Sequence, residues 1–306
     1  RIYSNTDTAE YGPATARFTS FDADGFTHGN QSAIGGVGNY IAWSWKAGGA
    51  PTADNSAGAG AVPTAGSVKI DGSNLGSALA GTIAATRLSA NTTSGFSIVS
   101  YTGTGSAATV AHGLSQTPEF FTVKSMDVAG RGWTTWAESL TETQALDLND
   151  SVAAYTSTTS WNSAFPTSSV LNLGTRVGTN ASATTYIGYC FHSVEGYSKV
   201  GSYVGNGVDG DGNFIYCGFK PAWIIFKKTS GTSSWSMYDD KRNTYNPVKN
   251  RLVANTAAAE TSTYNDIDMV SNGIKLLSND GAFNDSGATY MFIAFAESPF
   301  KTSNAR

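Results

Sequence analysis

Short runs of alternating apolar and polar residues follow one another along most of the chain, separated by glycine-rich turns. In FSIVSYT (residues 96–102) every second residue belongs to the same face, as in a β-strand. The runs EFFTVKS (119–125) and AWIIFKK (222–228) are almost wholly apolar, which is typical of central strands covered on both faces. Glycine clusters at 103–105 and 205–212 mark turns. The pattern therefore predicts an all-β protein of short strands.

The strands occur in a repeated order. Landmark residues have counterparts about 102 residues later, as Tyr101 has in Tyr203. The segment PEFFTVK (118–124) corresponds to PAWIIFK (221–227) in the same way. A period of this length is one whole small domain rather than a solenoid unit. We therefore expect two tandem antiparallel β-sandwiches, repeat 1 at 95–198 and repeat 2 at 199–306.

Each repeat ends with the same strand, in which a tyrosine opens a short apolar alternation. This closing strand occurs at 186–191 and at 290–295, and a third version lies at 40–45. Residues 1–49 are therefore expected to be the end of a preceding repeat, or else a strand pair that completes a neighbouring sheet. Residues 50–94 are rich in alanine, glycine and threonine. They are expected to form a linker or an extended arm, with an ordered surface loop as the alternative.

Composition excludes several classes of protein. Charged residues make up 14% of the chain and aromatic residues 12%, with 34 glycines and a net charge of −4. Disorder is excluded by this apolar and aromatic content. No basic stripe is present, so we expect no nucleic-acid partner. No apolar run approaches the roughly 20 residues of a membrane span, so no membrane insertion is expected either.

The sequence offers little for a metal or a cofactor. Asp209 and Asp211 in VDGDGNF are weak candidates for metal ligands, but the downstream glutamate of an EF-hand is missing. A solvated hairpin turn is the preferred interpretation. Cys190 occupies a position that holds a small residue in the other closing strands, which favours a buried free thiol. A disulfide with Cys217 is the alternative. We expect no cofactor and no catalytic residues, because neither a nucleophile elbow nor a phosphate-binding loop is present.

A ligand-binding surface is predicted around the most charged segment, YDDKRNTYNPVKNRL (238–252). Aromatic rings beside acids and amides are how many proteins stack against sugars and hydrogen-bond to them. The alternative is a salt-bridged loop between strands. The candidate ligand-binding residues, including one aromatic residue from the first repeat, are Trp161, Tyr238, Asp239, Asp240, Arg242, Tyr245 and Arg251. Trp161 has the alternative role of filling the edge of its sandwich.

Several of these motifs together resemble a known family. The segments GFSIVSYTGTGSAATVAHGL, YIGYCFHSVEGYSKVGSYVGNG, MYDDKRNTYNPVKNRL and YMFIAFAESPFK resemble a repeated domain in virion proteins of marine tailed phages, such as cyanophages and pelagiphages. The resemblance covers nearly the whole chain. It implies a jelly-roll or concanavalin-like sandwich and a structural or adhesive role, and it carries no catalytic residues.

The expected function is therefore that of a non-enzymatic virion structural protein, a tail fibre or capsid-surface appendage that contributes to assembly and host adhesion. The expected partners are further copies of the chain in a trimer or higher assembly, other virion proteins and a host-surface glycan. The expected location is the virion surface or the extracellular space. One alternative is a secreted carbohydrate-binding protein or glycan-active enzyme on a lectin-like fold. Another is a subunit of a polymerising extracellular filament.

Overall fold

The computed structural model describes residues 1–12, 18–22, 25–29, 34, 36–263 and 266–298. Within these residues the chain forms 21 β-strands and one four-residue helix, α1 (Val177–Asn180). The prediction of an all-β fold is confirmed. No helix in the described ranges has both the length and the apolar character that crossing a bilayer requires.

The larger sheet of the first sandwich has nine strands in the order β11-β10-β9-β8-β13-β6-β5-β3-β4. Every neighbouring pair is antiparallel except β3 with β5. A two-stranded sheet, β12-β7, faces it. The bounds are β3 (Val68–Ile70), β4 (Ser73–Asn74), β5 (Ala85–Asn91), β6 (Phe96–Thr102), β7 (Ala108–Ala111), β8 (Phe120–Ser125), β9 (Trp133–Ala137), β10 (Gln144–Asp147), β11 (Tyr155–Thr156), β12 (Val170–Leu173) and β13 (Thr185–Phe191).

The second sandwich repeats this plan with a five-stranded sheet, β14-β21-β16-β17-β18, and a three-stranded sheet, β15-β20-β19. An additional hairpin near the N-terminus pairs β1 with β2. The bounds are β1 (Phe18–Phe21), β2 (Phe26–His28), β14 (Ser198–Val204), β15 (Phe214–Tyr216), β16 (Pro221–Lys228), β17 (Ser236–Asp239), β18 (Leu252–Val253), β19 (Ile267–Val270), β20 (Gly273–Leu276) and β21 (Thr289–Ala296).

The closing strands β13 and β21 lie at the centre of the two larger sheets. Each is paired on both edges, β13 with β6 and β8, and β21 with β14 and β16. The opening tyrosine of each closing strand is fully buried and stacks on a second tyrosine. Tyr186 lies 5.3 Å from Tyr101 and Tyr290 lies 5.2 Å from Tyr203, between ring centroids. The repeated strand in the sequence is therefore the central strand of each sandwich.

Residues 50–94, expected as a linker, an arm or a surface loop, instead contribute β3, β4 and β5 to the nine-stranded sheet. Leu79, Ile83 and Leu88 from this segment are buried in the first core. The segment has few large apolar residues, so its composition resembles that of a linker. Most of those few face one core, and β5 pairs with β6 along nearly its whole length. The first sandwich therefore begins near Val68 rather than at residue 95.

Candidate functional site

Two of the predicted ligand-binding residues lie in the sandwich cores. Trp161 is 1% exposed and packs edge-on against Phe121, 4.7 Å away between centroids. Tyr238 is fully buried and donates a hydrogen bond to the Asp266 carboxylate at 2.7 Å. Neither ring can stack against a ligand in this arrangement, because no face of it reaches solvent. For Trp161 the structure supports the alternative role in packing.

The charged residues of 238–251 form ion pairs rather than an open binding surface. Arg242 contacts the Asp239 carboxylate at 2.6 Å and also pairs with Glu260. Arg251 pairs with Asp280 at 2.7 Å. These are the contacts of a salt-bridged loop. The remaining members are Asp240, which pairs with Lys241, and Tyr245, which is 86% exposed.

The structure also shows the surroundings of the predicted metal ligands, Asp209 and Asp211, and of the two cysteines. The Asp211 carboxylate forms an ion pair with Lys275. This is the contact expected of a solvated turn, not of a carboxylate that shares a metal ion with Asp209. In the described ranges no three His, Cys, Asp or Glu side chains come together as metal ligands would. Cys190 and Cys217 are buried free thiols, and burial raises the pKa of each to about 12. Neither thiol is therefore ionised near neutral pH, and neither resembles a reactive cysteine.

Equivalent aromatic residues from all three closing segments meet at one point. Trp45, Phe191 and Phe295 hold the same position in the segments 40–45, 186–191 and 290–295. Their ring centroids lie 6.3 Å (Trp45 to Phe191), 5.5 Å (Trp45 to Phe295) and 5.9 Å (Phe191 to Phe295) apart. We call these three residues the axial triad. Three equivalent residues in mutual contact define a pseudo-threefold axis, which neither repeat could form alone.

Further aromatic residues surround the axial triad. Trp223 lies 5.5 Å from Trp45 and 6.1 Å from Trp43. Phe120 of the first sandwich contacts Trp235 of the second at 6.5 Å. The two sandwiches meet here through the outer faces of their larger sheets. Apolar residues on the outer face of the second sandwich pack continuously with the core of the first sandwich. These residues are Val200, Ile225, Met291, Ile293 and Phe295.

Repeat 1 also docks on repeat 2 through a short segment that follows β10. Residues 147–154 run across the second sandwich beside Trp235 and Lys227. The hydrogen bonds are from Trp235 Nε1 to the Asp147 carbonyl (3.1 Å), from Lys227 Nζ to the Ser151 carbonyl (2.9 Å), from the Ser233 amide to the same carbonyl (2.8 Å), and from the Ala154 amide to the Thr229 carbonyl (2.9 Å).

The N-terminal segment docks on repeat 1 in the same way. Residues 3–10 run beside Trp133 and Lys124, which are the counterparts of Trp235 and Lys227. The bonds are from Trp133 Nε1 to the Tyr3 carbonyl (2.8 Å), from Lys124 Nζ to the Asp7 carbonyl (3.4 Å), from the Gly130 amide to the same carbonyl (3.1 Å), and from the Glu10 amide to the Met126 carbonyl (2.6 Å). The spacing 3, 7, 10 equals the spacing 147, 151, 154, so one docking mode occurs twice.

A repeated motif in the sequence carries the same equivalence. The opening residues RIYSNTDTAE (1–10) align without a gap with RLVANTAAAE (251–260). In repeat 2 the asparagine of this motif, Asn255, accepts a hydrogen bond from the Trp235 amide at 2.9 Å. In repeat 1 Asn149 accepts the same bond from the Trp133 amide at 2.7 Å. The motif therefore marks the docking segment of each repeat.

Both docking interfaces contain a buried lysine. Lys124 and Lys227 have no exposed surface as residues, and burial lowers the pKa of both, that of Lys227 to about 8. Each ammonium group is held by backbone carbonyls rather than by a carboxylate at hydrogen-bonding distance. One of these carbonyls in each interface, that of Asp7 or of Ser151, belongs to the docking segment, so each lysine ties that segment to its sandwich.

Two cavities lie away from the axis. One of about 640 Å³ on the outer face of the nine-stranded sheet has Ile98, Met126 and Ile187 among its lining residues. The other, about 540 Å³, contains Glu119, Trp136 and Glu138. The Glu119 carboxylate accepts hydrogen bonds from the amide and hydroxyl of Ser193. Burial and the charge of Glu119 raise the pKa of Glu138. A pair of carboxylic acids is what most glycoside hydrolases use for catalysis, and this cavity has two beside a tryptophan.

His112 is buried in the first sandwich and has no exposed surface. Its Nδ1 accepts a hydrogen bond from the Leu114 amide at 3.1 Å, so Nε2 carries the proton and donates to the Thr167 carbonyl at 3.0 Å. Burial lowers its pKa from the ordinary 6.5 to about 4. The ring is therefore neutral at pH 7 and serves packing.

This shift predicts acid sensitivity. Between pH 6.5 and 4 the unfolded chain binds a proton at His112 that the folded chain excludes, so stability falls as the pH falls through this window. The loss attributable to His112 is roughly 3 kcal/mol. Urea unfolding from pH 7 to pH 4 measures it, and His112→Gln serves as the control that keeps a hydrogen-bonding amide. Equal pH slopes in both proteins would contradict the prediction.

Comparison with known proteins adds a family but no activity. A family model described as a domain of unknown function (DUF7483) matches residues 1–71 and residues 69–299. No curated protein and no solved structure matches the chain significantly. The two matched stretches meet close to the start of β3, where the first sandwich begins.

Proposed function

We propose that this chain, which belongs to the DUF7483 family, is a non-enzymatic structural protein whose tandem β-sandwiches build a rigid appendage. The axial triad is the observation that carries the proposal. Equivalent residues of three closing segments converge on one axis, and one docking mode occurs at two successive interfaces. Such an arrangement suits a repeated building unit, whereas a catalytic site needs convergent polar groups in a cleft.

The interface between the repeats favours rigidity. Domains of one chain move relative to each other by default unless a large apolar interface joins them. Here Ile225, Met291 and Trp235 are buried in that interface, and hydrogen bonds to the backbone of residues 147–154 fix its register. The two sandwiches are therefore expected to move together as one rigid unit, as a fibre or shell component under mechanical stress must.

We place this structural role on a phage particle, as a tail fibre or a capsid-surface appendage. The support for this step is the motif resemblance to virion proteins of marine tailed phages. The same proposal gives the protein a location on the virion surface, self-association into a trimer or higher assembly, and contacts with other virion proteins and with host-surface glycans.

Antibody labelling tests the location. Antibodies raised against the purified chain would be applied to purified particles of a phage whose genome encodes it, and gold label would be located by electron microscopy. Label on an appendage or on the capsid surface is the expected result. Label confined to lysate protein, with none on particles, would overturn the virion assignment.

A second candidate function follows from the cavity around Glu119, Trp136 and Glu138. A glycan could lie against the exposed edge of this cavity, with Glu138 as an acid whose pKa is raised by burial. A glycan array followed by hydrolysis assays with wild type and Glu138→Gln tests this candidate. Binding or cleavage that Glu138→Gln abolishes would favour it over a purely structural role.

A further inference from the structure

The N-terminal closing segment resembles a central strand that lacks its own sandwich. Its residues Ile41, Trp43 and Trp45 are half-buried, and the two tryptophan rings pack against Trp223 and Phe295 of the second sandwich. The outward-facing residues of β21, at the same positions of their strand, are buried. Its other face, Tyr40, Ala42 and Ser44, is exposed. In the complete sandwiches the matching tyrosines are fully buried, whereas Tyr40 is 53% exposed. Within the part of the chain that the structure describes, this face is therefore not covered by a core as the matching faces of β13 and β21 are.

The backbone of this segment differs in the same way. In β21 both edges are hydrogen-bonded, to β14 on one side and to β16 on the other. Residues 39–47 form no ladder with any other described residue. Because residues 39–47 form no ladder with the described residues and one face of the segment is exposed, the segment is a template for added strands.

Unpartnered polar atoms lie beside this template. A cavity of about 270 Å³ has Trp43, Trp223 and Asp240 among its lining residues. Trp43 Nε1, Trp223 Nε1 and Asp240 Oδ1 are buried and make no hydrogen bond. Asp240 is only 9% exposed, and its burial raises its pKa. Buried polar atoms without partners are rare and costly in native proteins. Their grouping at one cavity indicates that a polar partner belongs there.

The pseudo-threefold relation shows which element belongs in this cavity. The counterpart of Asp240 in repeat 1 is Glu138, which lies at the junction of the two sandwiches. Glu138 and Lys199 line one cavity there, and the charge of Lys199 opposes the rise in the pKa of Glu138 that burial and Glu119 cause. Lys199 lies on β14, the strand that pairs with one edge of β21. The equivalent strand of a third sandwich would thus bring a lysine towards Asp240.

We propose that a third β-sandwich completes the ring around the axial triad. Its closing strand is 39–45, and its opening half is a further copy of the repeat, equivalent to residues 199–250, which pairs with both edges of that strand. The inference deepens the proposed structural function, but it rests on the geometry of the closing segment and is tested apart from any virion.

The same arrangement provides a binding surface for residues 253–260, the segment of repeat 2 that corresponds to the two docking segments 1–10 and 147–154. Residues 1–10 dock on the first sandwich and 147–154 dock on the second. The matching residues 253–260 of repeat 2 are largely exposed, with 256–260 exposed throughout. The tryptophan and lysine of the added opening half, equivalent to Trp235 and Lys227, would receive them. Each sandwich would then dock on the next, and the ring would close.

A fusion protein tests this proposal. Residues 199–250 are fused directly before Arg1, which reproduces the junction of repeat 2, where Asn250 is followed by Arg251 of the RLVANTAAAE motif. In the fusion, the amides of 39–45 should exchange with deuterium about 100-fold more slowly than in the unfused chain, as amides of a central strand do. The midpoint temperature of unfolding should also rise. Exchange is measured by mass spectrometry on peptides of the full chain.

A matched fusion provides the control. In it, the fused copy carries Val200→Pro and Ile225→Pro, which remove ladder hydrogen bonds from both added strands without changing the length. This control should leave the exchange of 39–45 fast. Equal exchange in the fusion and its proline control would overturn the proposal. Slow exchange in the unfused chain, together with a dimeric mass, would also overturn it, because a second chain would then occupy the site.

Discussion

Trp235→Ala lowers the free energy of unfolding by about 3–5 kcal/mol, the range for removing a fully buried tryptophan. Trp235 has no exposed surface, contacts Phe120 across the junction, and donates its indole N–H to the Asp147 carbonyl. The substitution leaves a cavity between the sandwiches and strips a partner from Lys227, which lies 5.9 Å from the ring. It should also uncouple the two sandwiches, so that they unfold in two separate transitions instead of one. Urea unfolding followed by circular dichroism measures both effects.

Trp133→Ala is the matched variant for this interface. Trp133 makes the equivalent bond to Tyr3, but its partner is a short segment rather than a whole sandwich, and it is 6% exposed. We therefore expect a smaller loss than for Trp235→Ala, and a transition that stays single. A loss below about 1 kcal/mol for Trp235→Ala, where core truncations of this size usually cost more, would contradict the account of a rigid junction.

Trp161→Ala should destabilise the first sandwich by a similar amount, about 3–5 kcal/mol. Its indole N–H donates to the Gln144 carbonyl at 3.1 Å, and its ring packs against Phe121 inside the core. The deletion therefore removes buried apolar area and takes the indole donor from the Gln144 carbonyl. Thermal and urea unfolding measure the loss.

Tyr245→Ala distinguishes a packing role from a binding role among the predicted ligand residues. Tyr245 is 86% exposed, so its removal should change stability by less than about 0.5 kcal/mol, as surface substitutions do. If Trp161→Ala unfolded normally but lost affinity on a glycan array, the assignment of Trp161 to the core would be wrong.

The small residue shared by the closing strands correctly predicted a buried position, and the structure adds that these strands lie inside their larger sheets. Cys190 illustrates this point. Its equivalents are Ala294 and Ser44, and the structure places the thiol in the first core. Tandem units and turns were predictable for the same reason, since the repeated landmarks occupy the same places in both sheets.

The charged segment near Tyr238 was harder to predict. Its residues are those that bind sugars, but their side chains pair with each other and with Asp266, Glu260 and Asp280, which lie far along the chain. Ion pairs of this kind depend on loop geometry that sequence spacing does not fix. The strands between residues 68 and 91 were not predicted, because several of their buried positions hold small residues such as Ala85 and Ala90. Such residues give only a weak apolar alternation in the sequence.

The docking segments could have been predicted, since the match between RIYSNTDTAE and RLVANTAAAE is visible in the sequence. What could not be predicted is the convergence of Trp45, Phe191 and Phe295 on one axis. Periodicity places them on the outer faces of three strands, but only the packing of the sheets brings those faces together.

The most direct test of the repeated docking mode is the exchange of two indole N–H groups. Trp133 and Trp235 each donate to a backbone carbonyl, at Tyr3 and at Asp147. NMR of the chain labelled with ¹⁵N at tryptophan measures both rates, with each resonance assigned by a Trp→Phe variant. Both groups should exchange slowly in the intact chain, and deletion of residues 1–11 should expose Trp133 alone. If Trp133 exchanged equally fast with and without residues 1–11, the N-terminal segment would not dock as residues 147–154 do, and the pseudo-threefold account would fail.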